Sequence, residues 1–177
     1  MLSGMSVELA AAKASFLDRT NRVRSVRRAL AAALAAASQH NLLYAAGADR
    51  RVRDRVRSHW MQRLERLGSS YVIERPPSAY EQDVLDLRDE MNRAFGADFC
   101  TGNHPRYRYE AGFRVSHAQK SLSIYLKHLW CMDRIVAPPE CPVDSIVLRR
   151  AGATDIRWAW VNSIEVHRSQ IAALRRH

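Results

Sequence analysis

The chain has 177 residues, 47% of them hydrophobic and 26% charged, a balance that fits one domain of ordinary size and excludes a disordered polypeptide. Lys+Arg is 28 against 18 for Asp+Glu, a formal net charge of +10 carried mostly by arginine. That excess points to a polyanionic partner, nucleic acid and most naturally DNA, because the planar guanidinium matches phosphate bidentately.

Only 7 glycines and 6 prolines occur, so the composition favours helices over a turn-rich β fold. The opening "MLSGMSVELAAAKASFLDRT" is interrupted by Glu8 and Lys13, unlike a signal peptide, and no apolar run reaches membrane-spanning length. A cytoplasmic location with free thiols at Cys100, Cys131 and Cys141 is expected, with no membrane partner. These cysteines lack C-x-x-C spacing and no histidine pair completes a zinc site, so neither a metal nor another cofactor is predicted.

Residues 1–38 read as helical, with Val23, Val26, Leu30 and Leu34 on one face among Arg19, Arg22, Arg24, Arg27 and Arg28. Residues 1–48 can pack on the core or stand off as an amino-terminal helical arm. After Gly47, the residues Val52, Val56, Trp60, Leu64 and Leu67 mark a second helix that Gly68 ends. Arg50, Arg51, Arg53, Arg55 and Arg57 crowd its first half and are candidate phosphate contacts; a solvated arginine face is the alternative.

Residues 71–74 are the one strand candidate, ahead of the prolines at 76 and 77. Ser78 with Glu81 has the pattern of a capping box, and Val84, Leu87 and Met91 form the stripe of an acidic helix ended by Gly96. This helix is expected to face away from a nucleic acid. Residues 97–115 read as a long loop in which Arg106, Arg108 and Arg114 alternate with Tyr107, Tyr109 and Phe113. Arg106 and Arg108 join the candidate nucleic-acid contacts, since arginine with aromatics suits an unpaired strand; aromatic anchors holding the loop to the core are the alternative.

"HAQKSLSIYLKHLWC", residues 117–131, follows a second capping pattern, Ser116 with Gln119. Leu122, Tyr125, Leu126, Leu129 and Trp130 form its core face. Lys120 and Lys127 lie opposite with His117 beside them, and these last two are also candidate nucleic-acid contacts. Ile124 and Cys131 between the polar groups suggest a lysine partly buried at a cleft. In "PPECPVDSIVL", Asp144 stands where a helix N-cap belongs. In the tail, Asn162 and Glu165 make a third capping pattern, Ile164, Ile171 and Leu174 a buried side, Trp158 and Trp160 close the core, and His167 is read as surface.

"QKSLSIYLKHLWC" followed by "CPVDSIVL" resembles the helix-hairpin-helix DNA glycosylases, in the style of their archaeal 8-oxoguanine branch. It also resembles bacterial proteins of unassigned role. The likeness covers about residues 116–148. It implies Lys120 as an amine nucleophile and Asp144 as the carboxylate that stabilises charge developing on the sugar of a flipped nucleotide. The family's glycine-rich hairpin is replaced here by "FRVSHAQK".

The fold expected is all-α, a single helical domain over 1–177 with six or seven helices, of helix-hairpin-helix glycosylase type if the resemblance holds. The function expected is nucleic-acid binding, related to base-excision repair. A lyase-type glycosylase using Lys120 and Asp144, and a protein–protein module for an acidic partner, are the alternatives.

Overall fold

The computed structural model describes residues 2–39, 42–101, 111–152 and 158–176, the side chains of 2–6 and 160 apart. It is all-helical. The helices are α1 (Leu2–Thr20), α2 (Val26–Ser38), α3 (Arg50–Gly68), α4 (Pro77–Phe95), α5 (Val115–Cys131), α6 (Ser145–Arg150) and α7 (Ile164–Arg175). Short 3-10 turns follow α3 and α4. Residues 71–74 form no strand. The chain leaves a 3-10 turn at Val72 and extends through Ile73, and an isolated bridge between Tyr44 and Phe99 is the β pairing among the described residues.

Everything is arranged around α5. From Val115 to Ser123 each of its residues is buried, and Tyr125, Leu126, His128, Leu129 and Cys131 are buried beyond them. A helix surrounded in this way must satisfy its own small polar groups. Ser121 donates to the His117 carbonyl at 2.8 Å and Ser123 to the Gln119 carbonyl at 2.6 Å, bonds that cancel hydroxyl desolvation inside the helix itself.

The alanine-rich α2 lies along α5 more extensively than any other helix does. Ala29, Ala33 and Ala37 have no side-chain entropy to lose and little bulk, while Leu30 and Leu34 fill the flanks, all buried. The Ser25 hydroxyl caps its first turn by accepting from Arg28 N at 3.1 Å. Thus α2 is part of the core. The helical reading of 1–38 is interrupted at residues 21–25, where Asn21, wholly buried, bonds both backbone groups of Ser25, and Val23 points outward at 72% exposure.

At the other side α3 brings Trp60, fully buried, edge-on to Phe113 at 4.8 Å, and its Nε1–H donates to the Ser121 hydroxyl at 3.0 Å. Gly68 ends α3 for a steric reason. A Cβ there would lie 2.6 Å from Tyr125 Cε1 and 2.9 Å from Leu129 Cδ1, so only glycine lets the two helices approach this closely.

Several local expectations fail. Trp130, assigned to the core face of α5, is only half-buried, under the Lys13 ammonium of α1. Pro76 occupies the N-cap position of α4 without a side-chain cap, and Glu81 instead holds Arg168 through two oxygens at 2.9 Å. Helix α5 starts at Val115 after Arg114, and Ser116 donates to the Ala159 carbonyl. Ser163, one residue after Asn162, caps α7.

His167 is fully buried, bonded to Glu140 at 2.8 Å, not on the surface. The acidic α4 points its carboxylates at arginines of its own chain. Glu90 pairs with Arg63 at 2.7 Å and Asp83 with Arg75 at 3.1 Å.

The two tryptophans separate core from rim. Trp60→Ala should destabilise by roughly 3–5 kcal/mol, the range for emptying a large core site. Trp130→Ala should lose less than half of that, since the residue is only partly buried. Urea unfolding of both variants checks the ranking, and equal losses would put Trp130 in the core after all.

Candidate functional site

The amino-terminal end of α5 is held from one side by the segment preceding α7. Val115 N donates to Asn162 Oδ1 at 3.2 Å and Ser116 N to the Val161 carbonyl at 2.8 Å. Those N–H groups are therefore engaged within the protein, and the first turn of α5 is not an open phosphate cradle. One turn further, Lys120 emerges toward α6. Its Nζ donates to Asp144 Oδ2 at 2.8 Å and sits 5.4 Å from the ring centroid of Trp158.

Asp144 serves two partners at once. Oδ1 accepts from Ile146 N and Val147 N, each at 2.9 Å, which caps α6, while Oδ2 takes the ammonium. The helix-cap and lysine-partner readings of this residue are therefore compatible. Burial by itself pushes the Asp144 carboxyl up. The Lys120 hydrogen bond, with the Val147 and Ile146 N–H bonds and the lysine charge, outweighs that and leaves it below the usual carboxylate range. A carboxylate so disposed is ionised at neutral pH. It suits stabilisation of a nearby positive charge better than removal of a proton.

The pair lies in a polar seam. On one side is the main apolar core around α5; on the other is a small cluster of Val143, Leu148 and Ile171 with Trp158 and Leu174 packed against it. Gln119 Nε2 donates to the Val143 carbonyl at 3.4 Å. The Tyr80 hydroxyl donates to the Gln119 carbonyl at 3.3 Å, and its ring centroid is 6.5 Å from that of His167. Burial, then the charge of Glu140, push the Tyr80 hydroxyl far up, so it stays a neutral donor.

The other expected site residues fall in three places. Arg50, Arg51, Arg53, Arg55 and Arg57 are all exposed on the first half of α3. Arg50 reaches Asp54 at 3.6 Å, Arg55 reaches Asp98 at 3.8 Å, and Arg53 lies 5.3 Å over the Tyr44 ring. Arg51 and Arg57 make no ion pair among the described residues. Arg106 and Arg108 lie outside the described residues. The two ends of that stretch are joined: Gly112 N donates to the Cys100 carbonyl at 2.9 Å, beside the Tyr44–Phe99 bridge at the foot of α3. Gly112 has φ +81°, and a Cβ on it would meet Asn92 Oδ1 at 2.5 Å, so the junction requires glycine.

His117 is corrected, whereas Lys127 stays partly exposed. His117 is fully buried, its ring stacked on Phe113 at 5.2 Å and its Nδ1 accepting from Arg114 N, so it presents nothing to a nucleic acid at the surface. Lys127 is on the same side of α5 as Lys120 but is half-buried, with Nζ 4.4 Å from the Phe16 ring of α1. Nor do Ile124 and Cys131 wall a cleft at Lys120. Ile124 packs on the main core and Cys131 lines a groove of about 260 Å³ beneath α1, with Lys13 and Arg24.

Trp158, Gln119, Tyr80, Glu140 and His167 are the seam residues that sequence reasoning left out. His167 carried a signal: it stands three residues after Ile164 and four before Ile171, on the buried stripe. Among the described residues no cluster of His, Cys, Asp and Glu is arranged for a metal ion, and no helix is long and apolar enough to cross a membrane. No protein-family model matches the chain, and no curated protein or solved structure shows detectable similarity to it.

The depressed Asp144 carboxyl has a signed consequence. Its stabilising contribution is complete above the ordinary carboxylate value and is lost as pH falls through the lower folded-state value. The stability advantage of wild type over Asp144→Asn should therefore shrink as pH drops from about 5 to about 2. A gap independent of pH in urea titrations would mean that Lys120 does not hold the carboxylate in solution.

Proposed function

We propose that this chain is a nucleic-acid-binding helical protein related to the base-excision DNA glycosylases, with Lys120 and Asp144 at its reactive centre. The observation that carries the proposal is the contact itself. A lysine one turn inside a buried helix meets, at 2.8 Å and 24 residues away, the aspartate that opens the following helix. An aromatic ring, Trp158, stands over the ammonium.

In this reading the exposed arginines of α3 hold phosphates, and a nucleotide swung out of its strand is brought to the seam. Displaced from Asp144, the Lys120 ammonium gives a proton to solvent, and the resulting amine attacks the sugar C1′. The C1′–N bond breaks, and the base leaves with the bonding pair and collects a proton. Opening of the sugar ring turns the new C1′–N linkage into an iminium. Asp144, ionised, faces the positive charge that develops on the sugar. The resting pair is closed, since Lys120 Nζ is a charged donor to Asp144 and the residue is only 5% exposed. Chemistry therefore requires the nucleotide to displace that contact.

The same burial favours a second reading, in which the Lys120–Asp144 bond only fastens α6 to α5 and the protein binds without reacting. Two experiments separate the possibilities. Replacing Arg51, Arg53 and Arg57 by glutamine should weaken binding to every sequence alike and reduce the slope of log K against log salt by about 0.9 per lost phosphate contact on duplex DNA. An unchanged slope removes these arginines from the interface. Competition by an acidic protein as effective as DNA would reassign the surface to a protein partner.

Borohydride should trap a covalent adduct between wild type and DNA carrying a damaged base. Lys120→Gln should form none, because an amide makes no iminium, and Asp144→Asn should form it slowly while binding nearly normally. Absence of any adduct with damaged duplex or single strand leaves the binding function alone standing.

A further inference from the structure

Asp144 reaches Lys120 from the end of a strap, residues 137–144, that joins α5 to α6 across the polar seam. Pro138, Pro139 and Pro142 remove three N–H donors from this stretch, so few backbone bonds can hold it. Its anchors are instead side chains of α5 and α7. Glu140 Oε2 meets His167 Nε2 at 2.8 Å, with the two side chains 3% and 0% exposed. Gln119 takes the Val143 carbonyl, and Lys120 takes Asp144. A carboxylate can only accept, so the imidazole Nε2 is the donor to Glu140.

The seam is imperfectly sealed. Gln119 Oε1, His167 Nδ1 and Gln170 Nε2 are buried without a hydrogen-bond partner among the described residues. Each such group raises the free energy of the closed arrangement, because water would satisfy it on opening. The strap is therefore held by a few polar bonds together with the burial of Val143 beside Leu148 and Ile171, and the unpartnered groups work against them. The deepest of these bonds is Glu140–His167, which is shut off from water on both sides.

We infer that the Glu140–His167 pair is the latch of this strap: it positions Asp144 against Lys120 and so sets how often the lysine amine is accessible. The reactive consequence rests on the function proposed above, whereas the latch itself is a property of the folded chain. His167 and Glu140 touch neither the lysine nor a nucleotide. They act through the strap, as positioning residues.

The lysines of the chain are Lys13, Lys120 and Lys127, so reductive methylation with formaldehyde and cyanoborohydride, read by peptide mass spectrometry, reports Lys120 beside two internal references. No nucleic acid is needed. In wild type Lys120 should react the slowest. Asp144→Asn should speed Lys120 alone, which calibrates the probe. His167→Phe, which fills the site but cannot donate, should speed Lys120 by roughly tenfold relative to Lys127, the scale of one lost buried bond to a charged group. His167→Gln, which restores an N–H donor, should return the rate toward wild type.

An unchanged Lys120 rate in folded His167→Phe overturns the latch, as does an equal rise at Lys127, which would be general loosening. So does a glutamine variant no better than phenylalanine, which would mean packing and not the hydrogen bond. If His167→Phe does not fold, Glu140→Ala is read by the same criteria. Failure of the borohydride adduct leaves these outcomes untouched, and a failed latch leaves the adduct experiment untouched, so the two ideas stand or fall separately.

Discussion

A helix enclosed on almost all sides is the constraint from which the rest of this structure follows. Burying α5 removes its apolar residues from water, Leu122, Leu126 and Ala118 among them, and each large aliphatic side chain contributes about 1.5–3 kcal/mol. The same enclosure takes Ser116, Gln119, Lys120, Ser123 and His128 out of water as well. Each of these must find a partner inside the fold or weaken it. Ser121 and Ser123 solve the problem locally by bonding back to the preceding turn, and Ser116 takes the Ala159 carbonyl. Lysine cannot, because its charge needs a counter-charge, and the nearest solution is an aspartate on another helix.

That requirement explains why α6, only six residues long, has a defined position. So short a helix has little stability of its own. It is fixed at its start by Asp144, whose two oxygens split between the backbone of α6 and the ammonium of α5, and by a small apolar cluster shared with α7. The segment between α5 and α6 is too rich in proline to be held by backbone bonds, which leaves side-chain pairs in charge of the seam. A buried ion pair of this kind adds little net stability over a hydrophobic replacement, yet removing one partner is costly. Its contribution is to specify one arrangement of α6 against α5.

Surface charge is sorted by the same packing. The positive charge of the sequence is spread over α2, α3 and the tail, but α4 lies beside the second half of α3. There Glu90 gathers His59, Arg63 and Arg66 within 3.7 Å. The acidic helix thus draws down the arginines near it. The first half of α3, beyond its reach, keeps its guanidinium groups exposed, with Arg53 over Tyr44 beside the bridge to Phe99. Exposed arginine therefore remains on the first half of α3, as it does at Arg27 and Arg28 of α2.

Local chain properties were legible without the structure. Three- and four-residue spacing of apolar side chains marked α3, α4 and α7, Gly68 marked the end of α3, and Asp144 read as the cap it is, because these depend on neighbours within one turn. The orientation of α5 was not legible. A helix wheel assumes a wet side, and α5 has almost none, so His117 looked like part of a polar face although it is buried against Phe113 and Arg114, while Lys120, read as partly buried at a cleft, meets its partner on another helix. The wheel accordingly placed Trp130 inside and His117 outside, the reverse of what packing selects. His167 was misjudged for the same reason, since its partner Glu140 lies 27 residues away across a strap whose path no local pattern specifies. Sequence alone determined where the helices are and which residues can cap or line them. Only the tertiary structure decided which buried polar groups meet, because that choice is made by the energy of leaving a charge or donor unpaired after the helices have come together.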